Sequence, residues 1–286
     1  MTRIPPLPSV LVEAAVRAAL LEDFGRGGDI TSAAVIPENA KARVVMAARE
    51  EGVICGLDIA ETAFRLADAA LDVKKLKQDG DGVKKGDAVM EISGHARAIL
   101  AAERVALNFA GRLSGIATLT DKMARACGNR KARVCDTRKT TPNLRLFEKY
   151  AVRCGGGMNH RFALDDAMLI KDNHIAVAGG VIPALRAAKA AAGHAVKIEI
   201  EVDTLGQLKE VLAEGADIAL LDNMSLDDMA AAVKMADGKI LLEASGNVTL
   251  ARVPAIAATG VDMISSGALT HSAPNFDLGL DYKSAA

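Results

Sequence analysis

Val196-Lys197-Ile198-Glu199-Ile200-Glu201 alternates apolar and charged residues without interruption. A period of two marks a strand, yet a parallel strand covered on both faces is apolar throughout. One face of this segment must therefore meet something that tolerates charge. With Val196, Ile198 and Ile200 packed on helices, Lys197, Glu199 and Glu201 point the opposite way, because side chains alternate across a strand. In a closed or nearly closed barrel that direction is the barrel interior. A solvent-exposed edge strand would give the same alternation.

The flanking sequence decides for the barrel. Apolar runs end at Cys135, Ile170, Ile200, Leu221, Leu242 and Ile264, each followed by polar residues and a helical pattern. From Ile200 onward the ends fall at 200, 221, 242 and 264, the length of a short strand-loop-helix unit. Six or seven such units predict an α/β fold with parallel strands inside and helices outside. No Gly-x-Gly-x-x-Gly follows a strand, which disfavours a Rossmann fold. The same parity turns Lys171, Asp222 and Glu243 inward.

Barrels of this kind gather their chemistry at the C-terminal strand ends. Here those ends carry Thr137-Arg138-Lys139, Lys171-Asp172-Asn173, Glu201, Asp222-Asn223, Ser245-Gly246-Asn247 and Ser266-Gly267-Ala268. A charge in a core costs several kcal/mol unless paired, so the cations between Asp136 and His174 are expected to face an anion rather than to pack. The two small, Gly-bearing ends suit a phosphate held by backbone N–H groups.

Composition narrows the class. The chain has 286 residues, half of them hydrophobic but only 3% aromatic, with no Trp. Its core is therefore built from Ala, Val, Ile and Leu. Lys and Arg number 35 against 36 for Asp and Glu, a balance that argues against a nucleic-acid protein. Any anion site must be local. Four cysteines without a C-x-x-C pair make a structural zinc site unexpected and point to reduced thiols. Residues 1–8 lack the long apolar segment of a secretion signal, and no run of about 20 apolar residues exists to span a membrane. A cytoplasmic location is the expectation.

The first 113 residues mix helices and strands in no fixed alternation, as in a small α+β domain. Ser9 is the expected N-cap of a helix to about Asp23, with Val12, Val16, Ala19 and Leu20 on one face. Strands are expected over 41–48, 52–56, 73–77 and 88–92, and helices over 59–70 and 96–113. Residues 82–94 resemble the hairpin of biotinyl and lipoyl carriers, but no suitably placed lysine occupies the tip, and a tight turn is the simpler reading. Arg104, by spacing alone, is a solvated helix arginine. The rhythm changes at Ser114, where the boundary to a barrel domain over 114–272 is placed; residues 273–286 return as a strand to the first domain.

Asp136-Thr-Arg-Lys-Thr-Thr-Pro142, Glu148-Lys-Tyr-Ala-Val-Arg153, Gly155-Gly-Gly-x-Asn-His-Arg161 and Leu169-Ile-Lys-Asp-Asn-His174 resemble the motifs of the quinolinate phosphoribosyltransferase family. The resemblance extends to Gly28-Asp-Ile-Thr-Ser32, Glu103-Arg-x-Ala-Leu-Asn108, Leu113-Ser-Gly-Ile-Ala-Thr118 and Ser266-Gly-Ala-Leu-Thr-His271, nearly the whole chain. Asn143 stands where the family often has glycine, and Asn tolerates the left-handed backbone such a turn requires. Met158 fills the variable slot of the triple-glycine loop.

The resemblance implies an N-terminal open α/β sandwich, an incomplete α/β barrel and at least a homodimer. It implies transfer of phosphoribose from 5-phosphoribosyl 1-pyrophosphate to quinolinate with Mg²⁺ and loss of CO₂, giving nicotinate mononucleotide for NAD biosynthesis. Carried over by position, Arg138, Lys139, His160, Arg161 and Lys171 form the cationic pocket, beside Thr137. Arg104 reaches the neighbouring subunit's site. Glu201 and Asp222 serve the ribose and the metal, directly or through water, and Lys139, Lys171, Glu201 and Asp222 are the expected catalytic groups. The 245–247 and 266–268 loops take the 5′-phosphate. A paralogue of molybdenum-related metabolism or one using another pyridine carboxylate, a Schiff-base aldolase acting through Lys171, and a non-catalytic metabolite sensor are the competing readings.

Overall fold

A computed structural model describes residues 4–282; the outermost residues of the expected first domain and tail, 1–3 and 283–286, lie outside the described residues. The chain divides into two compact units. One takes the chain up to Leu119, Arg153–Gly156 and the chain from Ala273; the other takes Thr120–Val152 and Gly157–Ser272.

The first unit begins with α1 (Ser9–Phe24) and α2 (Ile30–Val35), followed by β1 (Lys41–Ala48) and β2 (Gly52–Val53). Then come α3 (Leu57–Ala67), β3 (Asp72–Lys75), β4 (Gly82–Val83), β5 (Ala88–His95) and α4 (Ala96–Ala126). Val12, Val16 and Leu20 bury one stripe of α1, as their spacing requires. Ser9 is the first helical residue rather than the cap, which is Pro8. The antiparallel sheet orders β3, β5, β1 and the returning strand Leu278–Tyr282, with Met46 opposite Leu280. The expected strand over 52–56 stops at Val53. Ser114 Oγ accepts from the Cys55 amide at 2.9 Å and donates to its carbonyl at 3.1 Å, so that backbone is spent on a helix instead of a ladder.

Helix α4 corrects the expected helix end at 113. Ser114, Gly115, Thr118 and Thr120 are buried, and Ile116, Ala117 and Met123 continue the apolar stripe. The change of rhythm reflects close packing by small residues. A Cβ on Gly115 would lie 1.9 Å from the Pro274 carbonyl oxygen.

The second unit alternates strand and helix. Its elements begin with β6 (Arg133–Cys135), α5 (Arg145–Cys154, whose last two residues group with the first unit), β7 (Met168–Ile170) and α6 (Asp172–Ala178). They continue with α7 (Val181–Ala191), β8 (Ile198–Val202), α8 (Leu205–Glu214), β9 (Ile218–Asp222) and α9 (Leu226–Ala236). Last are β10 (Leu241–Ser245), α10 (Val253–Ala258), β11 (Met263–Ser265) and α11 (Ala268–His271). Among the described residues these strands form one six-stranded sheet, order β6-β11-β10-β9-β8-β7, and every pairing is parallel. Among the described residues no ladder joins β7 to β6. The barrel is incomplete, with a single bridge from Cys135 to Met158 on that side. Buried Leu208 and Val211 of α8 and Met229 and Ala232 of α9 cover the strands from outside.

The alternation in β8 has its expected cause for two of three residues. Glu199 and Glu201 are only 5% and 8% exposed. Lys197 does not join them: it precedes the strand, stays exposed, and donates to Asp217 Oδ1 at 2.5 Å. At the barrel's N-terminal rim a lysine stem can swing out to water.

Gly115→Ala should lower the urea midpoint by the equivalent of about 2–3 kcal/mol, the cost of forcing a methyl into a filled space. An unchanged midpoint would show that the 274 backbone yields freely.

Candidate active site

The mouth of the sheet is assembled on a buried ion pair. Asp136 follows β6 and Lys149 lies in the middle of α5; both side chains are 0% exposed, and Lys149 Nζ donates to Asp136 Oδ1. Lys149 also donates to the His160 carbonyl at 2.9 Å. Asp136 accepts from the His160 amide at 2.9 Å and from Asn159 Nδ2 at 2.6 Å. Burial pushes the Asp136 carboxyl up and the Lys149 ammonium down, each against the pull of its partner. The expectation that cations here avoid packing positions therefore fails for Lys149, which packs because its charge is fully met. Gly157 makes the adjoining turn possible: a Cβ there would meet Val152 Cγ1 and Thr120 Cγ2 at 2.8 Å.

Two cationic segments leave this knot. After Asp136 come Thr137, Arg138 and Lys139, with Thr137 Oγ1 accepting from the Lys139 amide at 3.0 Å. Asn143 closes the next turn at φ 65°, the left-handed geometry expected of it. Thr141 donates twice to buried Glu148, at 3.0 Å from its amide and 2.7 Å from its hydroxyl. After Asn159 come His160 and Arg161, whose Nη1 donates to the Ala167 carbonyl at 3.2 Å.

These segments meet the other strand ends around a cavity of about 790 Å³. Thr137, Arg138, Lys139, His160, Arg161, Lys171, Glu201 and Asp222 all line it, as do residues 245–247 and 266–268. The structure thus brings together every site residue expected from the sequence except Arg104. Arg104 lies exposed on α4 in the first unit. Cavity-lining residues that the sequence did not single out are Leu220, Val248 and Thr249, besides Leu169, Asn223, Glu243, Ser265 and His271, which were noted only as motif, strand-end or inward residues.

Local bonds show what each group has left to offer. Lys171 Nζ lies 2.7 Å from Glu201 Oε2, half exposed above a nearly buried carboxylate. A Schiff-base lysine attacks through a free lone pair, whereas this Nζ is engaged as a donor to Glu201. Asp222 accepts from Asn223 Nδ2 at 2.6 Å. Gly246, at φ 95°, runs so close to Asn223 that a Cβ would fall 2.1 Å from its Oδ1. Ser266 spends its amide on Cys135 O at 3.0 Å and its hydroxyl on Val248 O at 3.3 Å. Thr270 Oγ1 donates to the Lys139 carbonyl at 2.8 Å, tying α11 to the first cationic loop. Arg138 Nε and Arg161 Nε are buried without a hydrogen-bond partner, donors suited to an arriving anion. Burial and neighbouring Arg138 oppose the charge on Arg161, while Glu199 favours it.

Below the mouth, Glu199, Glu243 and His160 form a buried cluster. His160 Nε2 is 2.9 Å from Glu199 Oε2 and 3.8 Å from Glu243 Oε1. Burial opposes protonation of the ring, but the two carboxylates outweigh it and draw the pKa upward. Burial, then Glu199, push the Glu243 carboxyl up to about 7. A second cavity of about 540 Å³ lies at the N-terminal strand ends beside Lys197 and Asp217, and His160, Arg161 and Glu243 line both cavities.

Two outcomes follow for stability. Lys149→Met leaves Asp136 buried without its cation and should cost about 3–5 kcal/mol in chemical denaturation; a loss below about 1 kcal/mol would mean that water reaches the pair. Glu243 binds its proton more tightly folded than unfolded, so its contribution is complete below about pH 4.5 and is lost as pH rises through about 7. Relative to Glu243→Gln, the wild-type Tm should fall by an extra 2–4 °C, roughly, between pH 5 and pH 8. Parallel Tm profiles would contradict this.

The chain matches the family model for the N-terminal domain of quinolinate phosphoribosyl transferase over residues 29–114 and that for its C-terminal domain over 116–281. It is 46% identical over 262 residues to a probable nicotinate-nucleotide pyrophosphorylase (carboxylating) of Bacillus subtilis, covering 91% of this chain and 90% of that one. The corresponding enzyme of Mycobacterium leprae is 43% identical, with 93% and 95% covered. The solved structure of the nicotinate-nucleotide pyrophosphorylase from Francisella tularensis superposes with a TM-score of 0.93 at 41% identity, over 99% of this chain and 100% of that one. The two domain matches, the incomplete parallel barrel and the cationic mouth agree: the chain belongs to the quinolinate phosphoribosyltransferase family.

Proposed function

We propose that this protein transfers the phosphoribosyl group of 5-phosphoribosyl 1-pyrophosphate to the ring nitrogen of quinolinate, releasing pyrophosphate and CO₂ and giving nicotinate mononucleotide for de novo NAD biosynthesis. The relatives are named for this activity. The observation that carries the reading is the meeting of Arg138, Lys139, Arg161 and Lys171 with Glu201 and Asp222 around one cavity.

Quinolinate is a dicarboxylate, and planar guanidinium groups bind carboxylates bidentately. Arg138 and Arg161, each with a buried free Nε, fill that role. Lys139 and Lys171 neutralise carboxylate or departing pyrophosphate as point charges. With Ser266 engaged in the frame, the amides of Gly267 and Ala268 and the turn at Gly246-Asn247 are the phosphate donors. The ribose passes through an oxocarbenium-like state, as in glycoside cleavage, and Glu201 and Asp222 favour that positive charge. No enzyme nucleophile is needed, because the pyridine nitrogen attacks. The quaternised ring then stabilises the carbanion left by the departing carboxylate.

Mg²⁺ takes one or two carboxylates together with phosphate oxygens and water. Asp222 and Glu201 in the cavity wall fit that donor set; Glu201, already bonded to Lys171, suits contact through water. Bound there, the ion would neutralise charge developing on pyrophosphate. The family's homodimeric arrangement is part of the proposal: Arg104, exposed on α4, would complete the partner's site in the cytoplasm-located enzyme.

The test is product analysis with quinolinate or nicotinate as acceptor. Mononucleotide formed from quinolinate, dependent on phosphoribosyl pyrophosphate and Mg²⁺, is expected. Turnover of nicotinate alone would favour a paralogue using another pyridine carboxylate. Arg104→Ala and Arg138→Ala should each lose activity by about a hundredfold or more, and mixed subunits should regain part of it. Confirmed subunit exchange with no regained activity would remove the shared site.

A further inference from the structure

His160 lines the cavity, yet both of its ring nitrogens are engaged within the protein. Nδ1 accepts from the Arg161 amide at 2.7 Å, and Nε2 lies 2.9 Å from Glu199 Oε2. A ring that accepts at Nδ1 must carry its proton at Nε2. Glu199 is the acceptor within hydrogen-bond reach of that proton; Glu243, at 3.8 Å, is beyond it. The opposite tautomer would aim two N–H groups at each other across the 160–161 peptide and displace the Arg161 backbone. Glu199 is nearly buried, and its second oxygen has no hydrogen-bond partner, so no other bond fixes where the carboxylate points.

We propose that Glu199 is a positioning residue for the dicarboxylate substrate: by accepting from His160 Nε2 it holds the tautomer whose Nδ1 anchors the Arg161 amide, and so fixes the guanidinium at the cavity wall. The proposal rests on the functional reading above and deepens it. Glu199 touches no substrate itself. The effect reaches the cavity in two steps, carboxylate to imidazole and imidazole to peptide. Second-row carboxylates set histidine tautomers in the same manner at metal sites.

Two variants separate the hydrogen bond from the charge. Glu199→Gln keeps an acceptor at the same reach and loses the charge; Glu199→Asp keeps the charge and withdraws the acceptor by one methylene. Histidine tautomers are read by ¹⁵N NMR, with His160→Asn for assignment, and kinetics are measured on the same samples. Glu199→Gln should retain the Nε2–H signal with a quinolinate KM within about threefold of wild type. Glu199→Asp should lose that single tautomer and raise the quinolinate KM by about tenfold or more, with kcat and the phosphoribosyl pyrophosphate KM within about twofold. A variant that keeps the KM without the tautomer, or loses the KM with the tautomer intact, overturns the proposal. So does the reverse order, in which Gln is harmful and Asp harmless, since charge alone would then explain the role. Wild-type protein that turns over no quinolinate would instead sink the functional reading.

Discussion

The Asp136–Lys149 ion pair is the constraint from which the mouth of the barrel is built. It joins three pieces that are separate in sequence: the end of β6, the middle of α5 and the loop bearing His160. Isolating two charges from water is costly, and such pairs are rarely a source of net stability. Their use is geometric. Lys149 donates to two fixed acceptors and Asp136 accepts from three fixed donors, so the peptides on either side of Asp136 and Asn159 have little freedom. Arg138 and Arg161 are only two residues from those anchors, and their guanidinium groups inherit the precision.

A second constraint is charge balance along the barrel axis. Concentrating Arg138, Lys139, Arg161 and Lys171 at one opening is unfavourable by itself. Acids at successive depths offset it: Glu201 bonds Lys171 near the mouth, and Glu199 and Glu243 lie one strand repeat deeper beside His160. Residues two apart on β8 therefore serve different layers. The outer acid faces the reacting sugar in the proposed mechanism, and the inner one orients protein groups. A dicarboxylate with a pyrophosphate-bearing partner completes the balance from outside.

Much of this was legible in the chain, for identifiable reasons. The β8 alternation gave the inward direction of Glu199 and Glu201, because parity survives any error in strand ends. The spacing of apolar runs gave the parallel order. The loop residues lining the cavity were found because Gly, Ser and cations at strand ends are unusual in packing roles. What stayed hidden depended on tertiary partners. Lys149 counts among the cations expected to face an anion until Asp136 is placed against it. The continuation of α4 past Ser114 was masked by small residues whose value lies in what approaches them, such as the Pro274 carbonyl at Gly115. Lys197 shared the parity of Glu199 but sat one residue outside the strand, where parity no longer binds. The resemblance places His160 in the cationic pocket, and its two internal bonds could not be foreseen from its motif.

The central claim is that the four cations Arg138, Lys139, Arg161 and Lys171 act on one bound anion over Glu201 and Asp222. A crystal structure of the protein with quinolinate tests it most directly. The account predicts the pyridine dicarboxylate in the upper cavity, its carboxylates within hydrogen-bond distance of Arg138, Arg161 or Lys171. Quinolinate found in the lower cavity beside Lys197 and Asp217, with those three side chains untouched, would contradict it.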